Sequence, residues 1–327
     1  MKHIGLVASI NGLGHARRLM HLALSFQDMG ILTTVFATQK QIKFLLPELN
    51  SLGKKVDFKE ISNYGIDGPV WLNKGCLIES PPKQIIDLIR KYDLIVSDNV
   101  IWPIEFNQKF VLFGHFNWID YWSIKGQSKF SLDALNIYIK EKNLLKGVKY
   151  CLQFKDFKLK GDLMTKNSIG IKLLKYGSDV FFPLKIDANS VWIAQGTTQL
   201  YSSNIPNQIG KSPLSIFQKE TFNLINSQNK PSIVIGRPGL GTIRDCLAAG
   251  ILFIPIEEKQ DPELESNIDN LKNLLPVLTL PVNQSNFYEI LQKINSDKLS
   301  LEAWSNIWPD ISQSCADSCE QILNLAL

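Results

Sequence analysis

The sequence predicts an α/β protein of two doubly wound halves, and three observations carry that prediction. Short apolar runs of the buried-strand type alternate with segments of helical periodicity along most of the chain. Successive strand candidates are separated by enough residues for a helix, not by hairpin turns, which points to parallel βαβ crossovers. A polar stretch, Lys185–Ser190, holds no predicted element and divides one such series from another. The domains are accordingly 1–186 and 187–327, in keeping with about 100–200 residues per domain.

The first half opens with an apolar run, His3–Ala8, ending in the turn Ser9–Gly14. A helix follows over Ala16–Met29, where Leu19, Leu22, Ala23 and Phe26 repeat at i, i+3, i+4 and i+7, with Gly30 as its stop. Ile31–Ala37 reads as the next strand, Gln84–Lys91 as a helix, and Tyr92–Ser97 and Lys109–Gly114 as buried strands. Ser123–Lys146 is expected as one helix, Val148–Phe154 as a strand and Val180–Leu184 as a further apolar run. In the second half the expected strands are Val191–Ala194, Ser232–Gly236, Ile251–Ile256 and Val277–Leu280. The expected helices are Leu214–Ser227, Gly241–Ala249, Pro262–Leu275, Phe287–Ile294 and Ile311–Leu325.

The 327 residues carry a net charge of +4, with 31 acidic residues interspersed among the basic ones. No run of lysine or arginine resembles a nucleic-acid-binding arm, so a nucleic-acid partner is not expected. The five cysteines (Cys76, Cys151, Cys246, Cys315, Cys319) are scattered and include no CxxC pair. That argues against a disulfide framework or a zinc site and for a reducing, cytoplasmic setting. The N-terminal stretch MKHIGLVASINGLGHARR lacks a signal peptide's apolar core, and no window of roughly 18 apolar residues suggests a membrane span. Peripheral membrane contact through a lysine-bearing face is compatible with the composition. Chemistry is unevenly placed. Four of the five arginines (Arg17, Arg18, Arg237, Arg244) lie in two Gly-containing stretches, and all four histidines (His3, His15, His21, His115) fall in the first 115 residues.

The first Gly-containing turn is Asn11-Gly12-Leu13-Gly14-His15, between the first strand and the first helix. Gly12 and Gly14 let the backbone approach a ligand, and the helix N-terminus favours an anion or a reacting oxygen. His15 stands at the C-terminal edge of the sheet, where open α/β sheets bind ligands, with a pKa suited to a general base. The competing reading is a tight βα turn with His15 packed locally. A dinucleotide fingerprint is excluded, since position 17 is Arg17 where GxGxxG needs glycine. The second turn, Gly236-Arg237-Pro238-Gly239-Leu240-Gly241-Thr242, suits a diphosphate cradle, and no Gly-Lys-Ser/Thr follows to make it a Walker loop. Asp245, one helical turn on, is placed either to accept from a ribose diol or to answer the helix dipole.

The segment Ser232–Asn267, SIVIGRPGLGTIRDCLAAGILFIPIEEKQDPELESN, closely resembles the nucleotide-sugar-binding segment of GT-B glycosyltransferases. Within that fold the likeness is to enzymes of the UDP-glucuronosyltransferase type and the peptidoglycan N-acetylglucosaminyltransferase type. Thr242 and Asp245 match their Thr-x-x-Glu, Ala248-Ala249-Gly250 and Pro255 match in place, and Glu263-Leu264 falls on their acidic-Gln dyad with Asn267 on the Asn that follows. The N-terminal GLGH and its Arg-bearing helix resemble the first loop of the same superfamily, and a similar loop occurs in the nucleotide-sugar hydrolase of pseudaminic acid synthesis. Leu264 departs from the dyad, and only about one helix fits between Val191–Ala194 and Ser232–Gly236 where the family has further βα units.

The resemblance implies two Rossmann-like domains facing a cleft, acceptor in the first and donor in the second, with the C-terminal helix packing back on the first domain. It implies an inverting, metal-independent, cofactor-free glycosyltransferase using a nucleotide sugar, UDP-linked, on a sugar or lipid-linked acceptor, as in cell-surface polysaccharide biosynthesis. His15 would be the base. Gly12, Gly14, Arg237, Gly239, Gly241, Thr242, Arg244 and Asp245 would hold diphosphate and nucleotide, and Glu263 and Asn267 the donor sugar. The four arginines would turn local positive charge toward the diphosphate.

Asp98 and Asn99, after the Tyr92–Ser97 strand, could orient His15 or hold an acceptor hydroxyl, or simply form a turn. His115 is placed to contact acceptor or to pack among aromatics, and Asp120 is a weaker candidate of the same kind. Trp102, Trp118, Tyr121 and Trp122 suit either sugar stacking or a core. Gln195-Gly196-Thr197-Thr198 is a further candidate phosphate contact. Two other functions fit the same residues: a nucleotide-sugar hydrolase in which His15 activates water, and a non-catalytic nucleotide-sugar-binding subunit, which Leu264 favours.

Overall fold

In a computed structural model of the chain, the structure describes residues 2–62, 64–65, 80–125, 131–159, 168–176, 190–194, 215–219, 231, 233–256, 261–274, 289 and 298–326. The chain divides into two compact units, Met1–Tyr176 with Gln313–Leu327, and Gly177–Ser312. Among the described residues no helix is long and apolar enough to cross a membrane.

The first unit is built on a seven-stranded sheet of β1 (His3–Ala8), β2 (Leu32–Ala37), β3 (Asp57–Glu60), β4 (Leu94–Asp98), β5 (Phe110–Gly114), β6 (Tyr150–Phe154) and β7 (Ser168–Ile171). All pairings are parallel, in the order β3-β2-β1-β4-β5-β6-β7. Every residue of β4 and β5 is buried, which is why these strands read as continuous apolar runs. The order reverses between β1 and β4. Their following loops therefore leave toward opposite faces of the sheet and open a crevice at the strands' C-terminal ends.

Helix α1 (Gly14–Asp28) follows β1 and buries Leu19, Leu22, Ala23 and Phe26, as the heptad-like spacing predicts. Between Ala37 and Gln84, where the sequence pattern assigns nothing, lie α2 (Gln39–Leu52) and β3. Pro47 inside α2 interrupts the usual helix signature. Its start is nonetheless marked by a capping box, in which Thr38 and Gln41 exchange side chain-to-backbone hydrogen bonds. Helix α3 (Lys83–Lys91) precedes β4. The single helix expected over Ser123–Lys146 is instead two, α4 (Trp118–Lys125) and α5 (Leu132–Leu145), the second capped by Ser131. Trp102, Trp118, Tyr121 and Trp122 are all buried in the core of this unit, so of their two readings packing is the one observed. A short strand, β8 (Leu173–Lys175), closes the first stretch of the unit.

The chain returns at its end. The C-terminal helix Cys315–Ala326 packs on α1, with Cys319 Sγ 3.6 Å from the Leu22 carbonyl and Gln313 Oε1 accepting from the Lys172 N–H at 2.9 Å.

The second unit carries a parallel four-stranded sheet of β9 (Ser190–Ala194), β10 (Ser215–Lys219), β11 (Ile233–Gly236) and β12 (Leu252–Pro255), in the order β10-β9-β11-β12. Helices α6 (Leu240–Ala248), α7 (Pro262–Leu274) and α8 (Lys298–Ile311) accompany it. Strand β10 corrects the helix expected from Leu214: the short apolar Ile216-Phe217 run is ambiguous in periodicity, and pairing with β9 decides it. The order reverses again, between β9 and β11. Trp304, fully buried on α8, donates from Nε1 to the Ile251 carbonyl at 2.9 Å. Val180–Leu184, Val277–Leu280, Gln195–Thr198, Cys76 and most of Phe287–Ile294 lie outside the described residues, as does the region of the 186/187 boundary.

Ile322 has no exposed surface on the C-terminal helix. Ile322→Ala is expected to destabilise the first unit by about 2–5 kcal/mol in denaturant unfolding, and an unchanged midpoint would contradict the packing of this helix.

Candidate functional site

In the first unit the site forms where β1 and β4 end side by side. The turn after β1 passes through Gly12 at φ 85°, a left-handed conformation that favours glycine. It is held from two sides. Gln41 Nε2 donates to the carbonyls of Ser9 at 2.9 Å and Gly12 at 2.6 Å, and Trp118 Nε1 donates to Ser9 Oγ at 3.0 Å. Leu13 occupies the N-cap of α1 and no side chain caps it, so Gly14 and His15 begin the helix with backbone N–H groups directed outward from its end.

His15 is 6% exposed, and its Nδ1 lies 2.9 Å from Oδ1 of Asp98, the last residue of β4. Arg18, one turn along α1, grips both oxygens of the same carboxylate, Nε to Oδ2 and Nη2 to Oδ1, each at 2.9 Å. Asn99 follows at φ 71°. With its amide nitrogen turned inward it donates to Asp98 Oδ1 at 3.0 Å and to the Phe116 carbonyl at 2.6 Å. Gly114, ending β5 at φ 126°, leaves the space this pair needs, since a Cβ there would come within 2.5 Å of the Asn99 amide and 2.9 Å of Asp98 Oδ1. Burial pushes the Asp98 carboxyl up, but the Arg18 and His15 charges and hydrogen bonds outweigh it and hold the group down at about 2. His115 is buried with its ring stacked on His15, centroids 6.4 Å apart and planes at 15°. Asp120 accepts from Asn117 Nδ2 at 2.6 Å and returns its own N–H to Asn117 Oδ1, which is local bonding at the start of α4.

A second buried cluster lies along α1. Arg17 Nε and Nη2 donate to Glu48 of α2 at 2.8 and 3.0 Å, and His21 Nε2 lies 3.0 Å from the same carboxylate. Tyr176 stacks on His21 at 3.9 Å, and Arg17 lies over its ring at 5.0 Å. Burial again raises the Glu48 carboxyl, and its hydrogen bond to His21 together with the charge and hydrogen bonds of Arg17 lowers it to about 2.

In the second unit the turn after β11 leads into α6 through Gly239, whose Cβ position faces open space. Gly239 is the N-cap, no side chain caps it, and Gly239, Gly241 and Thr242 are part-exposed. The N–H groups of the first helical turn therefore form an anion-seeking edge. Asn267 of α7 is buried, and its Nδ2 donates to the Pro238 carbonyl at 2.9 Å, so it holds the turn from behind. Arg237 Nη2 donates to Asp261 Oδ2 at 3.1 Å. Asp261 Oδ1 accepts from the N–H groups of Glu263 and Leu264 at the start of α7. Burial and the Glu263 charge push the Asp261 carboxyl up to about 6, against the pull of Arg237. Glu263 is part-exposed beside it, whereas Leu264 is buried. Arg244 and Asp245 are both buried and paired at 2.7 Å, with Arg244 over the Trp308 ring at 5.4 Å.

The four arginines thus each lie against a carboxylate, Arg17 on Glu48, Arg18 on Asp98, Arg237 on Asp261 and Arg244 on Asp245. Each of the four arginines expected to turn positive charge toward a diphosphate therefore has a carboxylate beside it. Glu48, Gln41 and Asp261 were not singled out from the sequence. Two of them carried readable signals, Gln41 in the box Thr38-x-x-Gln41 and Asp261 as an N-cap before Pro262.

Asp98 and Glu48 both titrate below their unfolded values, so each adds stability that is present above the ordinary carboxylate range and lost as the pH falls through the folded value. Unfolding free energy of the first unit is expected to drop from about pH 4.5 to about 2, each carboxylate accounting for roughly 2–4 kcal/mol. In Glu48→Gln the slope against pH in that window is expected to be shallower than in the wild type. Equal slopes would contradict the assignment.

No protein-family model matches the chain, and no curated protein matches it. Solved structures do. A glycotransferase of kitacinnamycin aligns with TM-score 0.68 and 12% identity, covering 100% of this chain and 99% of the other. UGT89C1 of Arabidopsis thaliana, complexed with UDP-L-rhamnose, aligns with TM-score 0.64 and 12% identity at the same coverage. MurG of Acinetobacter baumannii aligns with TM-score 0.56 and 12% identity, again over 100% and 99%. The chain is an α/β protein with the GT-B fold of these glycosyltransferases.

Proposed function

We propose that the chain is a glycosyltransferase that moves a sugar from a nucleotide donor, UDP-linked, to an acceptor hydroxyl, with inversion and with His15 as the base. The observation that carries this reading is the His15–Asp98 pair at the end of β1 and β4, in a chain of this fold. With Nδ1–H directed to Asp98 Oδ1, the lone pair of the ring lies on Nε2, free to take the acceptor's proton. The acceptor oxygen then attacks the anomeric carbon as the bond from that carbon to the diphosphate oxygen breaks. One displacement inverts the centre. The leaving diphosphate is received by the N–H groups at the start of α6 with the Thr242 hydroxyl, fixed dipoles that need no reorganisation. Arg237, whose side chain is 25% exposed, is the arginine able to turn from Asp261 toward a phosphate. UGT89C1 is solved with UDP, with UDP-L-rhamnose and with quercetin, which supports a uridine-diphosphate donor and a hydroxyl-bearing acceptor.

Within this reading Glu263 meets the donor sugar, whereas Asn267 acts through the turn it holds and Asp245 through Arg244. The acceptor is a sugar or a lipid-linked hydroxyl met on the first unit near Asp98 and His115. Buried Leu264 supports a second reading, a protein that binds a nucleotide sugar without transferring it.

UDP binding by thermal shift and UDP release from UDP-sugars separate these. His15→Ala is expected to lower turnover at least about 100-fold with UDP binding intact, and unchanged turnover would remove His15 as base. Binding with no release, in water or with any acceptor, would select the second reading, and release in water alone would make the protein a hydrolase. Asn267→Ala is expected to weaken UDP about tenfold, the loss of roughly one buried hydrogen bond, and an unaltered dissociation constant would detach the turn from nucleotide binding.

A further inference from the structure

We propose that Asp261 serves as an internal stand-in for the donor's diphosphate, holding Arg237 until a nucleotide arrives and yielding it by exchange. The inference rests on the reading of the second unit's Gly-bearing turn as the nucleotide site and deepens it.

Of the four arginine–carboxylate pairs this one is the most loosely made. Arg237 Nη2 lies 3.1 Å from Asp261 Oδ2, with the two side chains 25% and 21% exposed. Each of the other three has a contact at 2.7–2.9 Å, and none of their side chains is more than 8% exposed. A pair open to water is weak, and a guanidinium suits phosphate as well as carboxylate. Arg237 is therefore the arginine of the four that an arriving phosphate can draw off.

The exchange needs no backbone movement. The Arg237 carbonyl accepts from the Gly239 N–H at 2.8 Å, and Asn267 donates to the next carbonyl, that of Pro238, so the turn stays fixed. Asp261 is anchored likewise. Its carbonyl accepts from the Glu265 N–H at 2.9 Å, and its Oδ1 from the N–H groups of Glu263 and Leu264 at 3.0 and 3.4 Å. Oδ2 is the oxygen given to Arg237. Once the arginine leaves, Oδ1 keeps both backbone donors and Asp261 stays the cap of α7. Burial and the Glu263 charge already push this carboxyl up, so it can take a proton when its cation departs and set no bare charge against the phosphate.

Calorimetric titration of the full-length protein with UDP and with uridine, at neutral pH, tests the exchange. Asp261→Asn and Asp261→Ser both keep a helix-capping side chain and remove the charge. In either, UDP is expected to bind about three- to fivefold more tightly, with uridine unchanged because it carries no phosphate. In an Arg237→Gln background the same substitution is expected to gain about twofold or less, since no arginine remains to be exchanged. An unchanged or weakened UDP affinity in whichever variant folds would overturn the proposal, because replacing a merely structural aspartate brings no gain. So would an equal gain for uridine, or a gain that survives undiminished without Arg237. Wild-type protein that binds no UDP would remove the nucleotide reading and the exchange with it, whereas UDP binding without the gain removes the exchange alone.

Discussion

A carboxylate with no exposed surface has to be met by donors on every side, and Asp98 imposes that requirement on the whole first unit. Its partners come from α1 and from the next residue of its own chain. His15 and Arg18 share a face of α1 because they are three residues apart, and that face turns to β4 because the sheet order sets β4 beside β1. Asn99 reaches back only by adopting a left-handed backbone conformation, and the space it fills exists because position 114 has no side chain. Helix register, strand order, one strained asparagine and one glycine all answer to a single buried charge. The same charge fixes the ring that the proposed chemistry uses.

The two units place their Gly-bearing turns by the same device. In each, the turn follows a strand next to the reversal in strand order and leads into a helix that no side chain caps. In each, an amide side chain from the helix of the following βα step holds the turn by its backbone carbonyls, Gln41 on Ser9 and Gly12, Asn267 on Pro238. The amides supply donors to backbone oxygens and leave the helix N–H groups untouched. A turn anchored by its carbonyls keeps its open N–H edge in place for an anion.

Legibility followed the range of the interactions. Strands β1, β4 and β5 are buried on both faces and stand out as apolar runs, and the helix after each Gly-bearing turn is marked by its own spacing. Helix α2 was obscured by Pro47, and β10 by an apolar run too short to show a period. The glycines and His15 could be singled out because their chemistry is local. The arginines were noticed for the same reason, but their carboxylate partners were not. What neutralises Arg17 and Arg18 lies 31 and 80 residues away, in α2 and at the end of β4, and spacing cannot register a partner that distant. Asp98 stood out with Asn99 as a residue able to orient His15, to hold an acceptor hydroxyl or to form a turn, and its place between His15 and Arg18 came from topology.

The return of the last helix to α1 also orders events during synthesis. The first unit includes Gln313–Leu327, so its sequence is interrupted by all of the second. A nascent chain emerging from the ribosome exposes the whole parallel sheet while the surface of α1 that takes the C-terminal helix is still bare. The second unit, continuous in sequence, has everything it needs sooner. The half that bears His15 thus completes its core only once Gln313–Leu327 has emerged, and loss of that segment strikes the N-terminal half of the molecule first.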